Sequence, residues 1–150
     1  LPIWGTVYAG TGAINTSDER AKQDIRDIPD AVLDAWATVN YAEFRFTDAV
    51  KLKGSDARLH VGLIAQQVKE AFEMIGIDPF AYGLLCYDEW GDQFEDVLDE
   101  DGNPTGEQRL VQAAGNRYGI RYEEALALEA ALMRRTTKRL EARLAALESA

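Results

Sequence analysis

The chain has 150 residues, 47% of them hydrophobic, enough for one domain with a real core; a chain of this size withdraws about 68–70% of its unfolded surface from water. Its 26 acids outweigh 16 bases, for a net charge of −10, which argues against a nucleic-acid or anionic-membrane partner because both need basic patches. One cysteine, Cys86, and one histidine, His60, exclude an internal disulfide and a Cys/His zinc cluster within one chain, and no metal or cofactor is expected.

No run of 18 apolar residues is present, so no membrane-spanning helix is expected. The N-terminus has no basic region followed by an apolar core, so no signal peptide is expected either. The chain opens on Leu1 in mid-pattern and reads as a piece of something longer.

Leu1 to Thr16, LPIWGTVYAGTGAINT, is rich in Gly and Thr. Thr6, Val7 and Tyr8 favour strand, and Gly5, Gly10 and Gly12 punctuate it. The segment suits the last strand or linker of a preceding β-rich domain. From Thr16 to Ile28 a helix is expected, because Thr16 and Glu19 have the spacing of a capping box and Asp18 and Glu19 suit a first turn. On that pattern Ser17 is a plain helix-start residue.

Pro29 to Val39 predicts a second helix, with Pro in the first turn and Val32, Leu33, Trp36 and Val39 as its apolar stripe. Tyr41 to Thr47 alternates and predicts a strand. Lys51 to Asp56 is a polar turn around Gly54. Arg58 to Ile64 is a second strand, running into a helix that ends near Ile75 with Gly76 as its stop. Asp78 to Trp90 is mixed and aromatic. Its adjacent Asp88 and Glu89 would point to opposite faces of an extended segment, so they do not converge as an acid pair. Cys86 reads as a small apolar core residue.

Gly91 to Asn116 is acidic, with a strong turn signal at Asp101-Gly102-Asn103-Pro104. Flanking residues Phe94–Leu98 and Gln108–Val111 make a protruding hairpin or a flexible loop. After a short strand, Arg117 to Tyr122, a long helix runs from Glu123 to about Ser149. Leu126, Met133, Leu140 and Leu147 recur at one heptad position, and Ala130, Thr137 and Leu144 at a second. That is the seam of a self-associating coiled coil, with its strand number left open, or an amphipathic helix lying on its own domain. The fold class is α+β and predominantly helical. A small antiparallel sheet carries packed helices, a protrusion and the long C-terminal helix.

Five segments in order, NTSDERAKQDI, AVLDAWATVNYAEFRF, RLHVGLIAQQVKEAF, YGLLCYDEW and RYGIRYEEALALEAA, together resemble one family. It is the C-terminal intramolecular chaperone domain of phage tailspikes and tail fibres, the peptidase S74 family typified by endosialidase tailspikes. The resemblance implies a homotrimer, joined through a trimeric coiled coil, that holds three chains together while an upstream triple β-helix of the same polypeptide forms. It further implies that a serine–lysine dyad then cuts the chain and the chaperone leaves. Carried over by position, Ser17 is the nucleophile and Lys22 the general base, with cleavage at the Thr16–Ser17 junction. Residues 1–16 would be the tail of the client fibre, 17–150 the chaperone, 91–116 its tentacle and 123–149 its coiled-coil helix. The precursor would fold in the host cytoplasm and the released domain would be absent from the virion. The competing expectation is a permanent, non-cleaving trimerisation module at a fibre tip.

The residue chemistry is compatible with that dyad. A serine hydroxyl needs a base to take its proton. Arg20 is nearest in sequence, but a guanidinium stays protonated. His60 is expected in or beside a strand. A lysine amine can act if it is neutral, which at pH 7 costs about 4.6 kcal/mol starting from an ordinary value near ~10.4. Burial or a neighbouring like charge has to supply that cost. Residues five apart in a regular helix stand about 140° apart. Ser17 must therefore lie at or before the helix start, or Lys22 must come from a neighbouring chain. The Ser17 hydroxyl can reach the preceding carbonyl through a five-membered ring; Ser17–Asp18 is the alternative bond. Backbone N–H groups would form the oxyanion hole.

Overall fold

Val32, Leu33, Ala35 and Trp36 recur on one face of helix α1 (Asp30–Trp36), and all four are buried. The spacing makes that helix amphipathic, and Pro29 before it has its ring-fixed φ and lacks a donor, so it caps the start at no cost in hydrogen bonds. The structure is a computed structural model that describes residues 17–150, together with the backbone of strands β1 (Thr6–Ala9) and β2 (Gly12–Asn15). Those two strands pair antiparallel, from Thr6 with Asn15 to Ala9 with Gly12, in keeping with the strand-like reading of this segment.

Three helices build the core. Helix α3 (Ala65–Glu73) contributes Val68, Ala71 and Phe72. The long helix α4 (Tyr122–Glu148) contributes Ala125 and Leu128. Together with Val32, Leu33 and Trp36 of α1, Leu63 and Leu84, they form one continuous apolar cluster. Trp36 and Phe72 are each only 1% exposed, and full burial of a side chain such as Phe contributes roughly 1.5–3 kcal/mol. The Trp36 indole N–H keeps a polar partner, donating to Glu129 Oε2 on α4 at 2.7 Å. Lower on α4, Arg135 donates to Asp30 Oδ1 at 3.1 Å and to Asp34 Oδ1 at 2.7 Å. Those carboxylates push the Arg135 guanidinium above its ordinary range and fix the start of α1 to the helix.

Strands β3 (Ala42–Phe44) and β4 (His60–Gly62) pair antiparallel, with Ala42 opposite Gly62. The Tyr122 hydroxyl accepts a hydrogen bond from Leu63 N at 3.0 Å. A Cβ at residue 62 would stand 2.3 Å from that hydroxyl, so the close approach requires glycine. Between these strands runs α2 (Thr47–Lys53), a helix without buried residues that ends on Gly54 at φ +56°.

Strand β5 (Leu85–Trp90) pairs antiparallel with β8 (Gly115–Ile120), from Leu85 with Ile120 to Trp90 with Gly115. Three residues further along each strand, Gln93 of β6 (Gln93–Leu98) pairs with Gln112 of β7 (Pro104–Gln112), so one register crosses the junction. The Trp90 indole N–H donates to Ala113 O at 3.0 Å, and Asp92 Oδ1 accepts from Ala114 N at 2.6 Å. The acidic segment is therefore a hairpin arm continuous with the body, which settles the choice between hairpin and loop. Its tip closes where Asp99 Oδ1 accepts from Asp101 N and Asn103 N, both at 2.9 Å, with Gly102 at φ +83°.

Three expectations are corrected. Helix α2 and a 3₁₀ turn, Gly54–Asp56, occupy the expected polar turn over Lys51 to Asp56. The helix expected over residues 16–28 does not form among the described residues 17–28: only a single 3₁₀ turn, Glu19–Ala21, does. Ile25 and Ile28 are exposed, so a helix there would have no face to bury. The small antiparallel sheet is instead four two-stranded antiparallel sheets among the described residues. Helix α4 begins at Tyr122, one residue before the expected start, and its core residues are distinct from the two heptad rows. Ala125 and Leu128 face the core, whereas Leu126, Met133, Leu140, Leu144 and Leu147 are exposed. From residue 136 to the end every position is exposed; Arg139 still reaches Asp30 Oδ1 at 3.6 Å, and past it roughly 13 Å of helix, at ~1.5 Å per residue, runs on.

Candidate active site

Ser17 and Lys22 flank the 3₁₀ turn. Asp18 precedes it in an extended conformation, φ −69° and ψ 129°, and Lys22 leaves it extended at φ −120° and ψ 151°. The turn closes with Ala21 N donating to Asp18 O at 3.1 Å and Lys22 N donating to Glu19 O at 3.0 Å. With three residues per turn and an extended residue at each end, the chain folds back on itself. Lys22 Nζ then donates to Ser17 Oγ at 2.8 Å. An α-helix would have held the two side chains about 140° apart. Ser17 lies ahead of the helical turn, and its hydroxyl meets the Lys22 amine of the same chain. Thr16, the other residue of the expected cleavage junction, lies outside the described residues.

Asp18 organises the turn. Its Oδ1 accepts from Arg20 N at 2.9 Å and from Arg20 Nε at 3.1 Å; its Oδ2 accepts from Arg20 Nη2 at 2.7 Å. The Arg20 side chain, then the Arg20 backbone N–H, holds the Asp18 carboxyl below the usual aspartate range, and the same contact raises Arg20. The turn's cap is Asp18; the expected Thr16–Glu19 box involves Thr16, which lies outside the described residues. Sequence reasoning missed the Asp18–Arg20 pair, whose signal was the Asp-x-Arg spacing between the two dyad residues. Two residues past Lys22, Asp24 adopts a left-handed φ of +56°, which redirects the chain toward α1.

The groups set aside on chemical grounds lie elsewhere. His60 is on β4 in ring contact with Phe44 and Phe46, at 6.1 and 4.9 Å between centroids. Asp88 lies 3.7 Å from Arg117 across the β5–β8 pair. Cys86 is a free, half-buried thiol opposite Gly119, less deeply placed than a core residue. Among the described residues no group of three or more His, Cys, Asp or Glu side chains could hold a metal ion.

A family model described as chaperone of endosialidase, peptidase S74, matches residues 17–77; the match opens on Ser17. A solved structure described as a novel intramolecular chaperone superposes with a TM-score of 0.70 and 49% identity, covering 82% of this chain and 99% of that one. The chain belongs to the chaperone-of-endosialidase family. Two relatives that the chain resembles are phage tail proteins. The tail spike protein of Escherichia virus K5 is 51% identical over 145 residues, and the side tail fiber protein pb1 of Escherichia phage T5 is 36% identical over 155. These alignments cover 96% and 97% of the chain, which spans 22% and 10% of the respective relatives. The carboxy-terminal domain of the T5 L-shaped tail fiber, solved with its intramolecular chaperone domain, superposes with a TM-score of 0.70 at 29% identity, over 93% of this chain and 34% of that one.

Proposed function

We propose that this chaperone-of-endosialidase chain assists folding of a fibre or tailspike segment upstream in its own polypeptide, as a homotrimer, and then releases itself by one self-cleavage at the Thr16–Ser17 junction. The observation that carries the reading is the 2.8 Å contact between Lys22 Nζ and Ser17 Oγ, in the residues where the family match begins.

The chemistry balances without a cofactor. Neutral Lys22 Nζ takes the proton from Ser17 Oγ across the existing contact as the oxygen attacks the Thr16 carbonyl carbon. The tetrahedral intermediate collapses with the C–N bond breaking, and Lys22 returns the proton to the departing Ser17 nitrogen. The resulting Thr16–Ser17 ester is hydrolysed by one water, giving a Thr16 carboxylate and restoring the serine hydroxyl under a new N-terminus. Cleavage is single-turnover because the substrate is the chain itself.

Trimerisation gates this step. Ser17 and Lys22 are both exposed in the single chain, and a solvated ammonium is a poor base; packing of neighbouring copies around the segment desolvates the amine. Three α4 seams would join through Leu126, Met133, Leu140 and Leu147. The hairpin arm, with Phe94, Leu98, Leu110 and Val111 exposed, suits a tentacle laid along the client. The precursor would fold in the host cytoplasm and the released domain would not enter the virion. The same exposure of the dyad also favours the second reading, a permanent trimerisation module in which Ser17 is inert. To test chaperone action, the upstream fibre is expressed with this domain and without it. Soluble trimeric fibre only in the first case supports the proposal; equal yields of trimer in both would refute it.

A further inference from the structure

The three charged residues between Ser17 and Lys22 do different things. Glu19 supplies a backbone carbonyl to the turn. Asp18 spends both carboxylate oxygens on Arg20. That matters because Asp18 is adjacent to Ser17, the residue that Lys22 contacts, and is a carboxylate that could compete for the Lys22 ammonium. A carboxylate hydrogen-bonded to an ammonium favours its charged form and opposes its use as a base. An arginine, always charged and forked, out-competes lysine for a carboxylate. Arg20 also brings a like charge onto the segment that carries Lys22.

From this geometry we infer that Asp18 and Arg20 are positioning residues for the Ser17–Lys22 pair: Asp18 shapes the turn that brings Lys22 back to Ser17, and Arg20 occupies Asp18 so that Lys22 remains free to lose its proton. The inference rests on the dyad reading above. The charged groups along this exposed segment are Asp18, Glu19, Arg20, Lys22 and Asp24. The lowered Asp18 carboxyl stays ionised and clamped throughout the pH range in which a lysine could act.

The test is the pH dependence of self-cleavage of the full precursor, upstream fibre included, in the unmodified chain, Arg20→Ala, Arg20→Lys, and the double variant Arg20→Ala with Asp18→Asn. These residues are exposed, and trimer size and circular dichroism establish that each variant is folded. In Arg20→Ala the freed Asp18 pairs with Lys22, and the midpoint of the rising rate should move up by about 1 pH unit or more, the effect of a close opposite charge. Adding Asp18→Asn removes the competing carboxylate and should return the midpoint toward that of the unmodified chain. Arg20→Lys, which keeps a cation on Asp18, should shift it less than Arg20→Ala. An unshifted midpoint in Arg20→Ala overturns the inference, as does a shift that Asp18→Asn fails to reverse; both leave the dyad standing. Cleavage persisting in Ser17→Ala, run alongside, removes the dyad and this inference with it.

Discussion

Lys22 Nζ lies 2.8 Å from Ser17 Oγ across a turn of three residues. Only an amine that can be neutral exploits that contact as a base. Lys22→Arg, which keeps the charge but cannot be deprotonated, should therefore be as inactive in self-cleavage as Lys22→Ala, each slower by roughly 10²–10⁴-fold. Electrophoresis of timed samples from the precursor measures this. Substantial cleavage by Lys22→Arg would mean that the lysine contributes only its positive charge.

The turn itself should depend on pH in one direction. Asp18 is held below its ordinary range by Arg20, so it binds its proton less readily folded than unfolded. The stability it contributes is present above the ordinary aspartate value and is lost as pH falls through the lower, folded value. The Arg20 amide chemical shift, followed by NMR on a Ser17→Ala chain, should hold steady from neutral pH to below the normal aspartate range and then move.

The contact between Tyr122 and residue 62 makes a third, structural prediction. Gly62→Ala places a Cβ 2.3 Å from the Tyr122 hydroxyl and should destabilise the domain by about 1–3 kcal/mol. Tyr122→Phe leaves Leu63 N without its acceptor and should cost about 1–3 kcal/mol. The double variant should cost less than the sum, because removing the hydroxyl makes room for the methyl. Urea unfolding of the four proteins reads all three values.

Seam positions on α4 and core positions of the body should separate cleanly. Leu140 and Leu147 are exposed in the single chain, at 56% and 74%. Leu140→Glu with Leu147→Glu should leave the body folded and abolish the proposed trimer, as sedimentation would show. Phe72→Ala, at a position 1% exposed, should instead cost ~3–5 kcal/mol of folding stability. If the seam variant kept its mass in solution, the exposed stripe would not be the joining surface.

Much of this architecture was legible because its signals are local. Pro29 with Val32, Leu33 and Trp36 marks α1, the heptad leucines mark α4, and Asp101-Gly102-Asn103-Pro104 marks the tip of the arm. The failures lie where packing gives no guidance. The helix expected over residues 16–28 had a capping pattern, but its apolar Ile25 and Ile28 pack against nothing, and only one turn formed. Helix α2 was missed because it buries no residue and no apolar period announced it. Long-range partners, such as Arg135 with Asp30 and Asp34 or Tyr122 with Leu63, leave no trace in local spacing. At the candidate site the residue types and their separation were readable, but the Asp18–Arg20 clamp that lets Ser17 meet Lys22 was not.

The most direct measurement is the mass and N-terminal sequence of the products formed when this chain is made together with its upstream fibre. The expected result is two pieces from the unmodified polypeptide, the smaller beginning at Ser17, and a single intact piece from Ser17→Ala. Two pieces from Ser17→Ala, or a small fragment beginning at another residue, would contradict it.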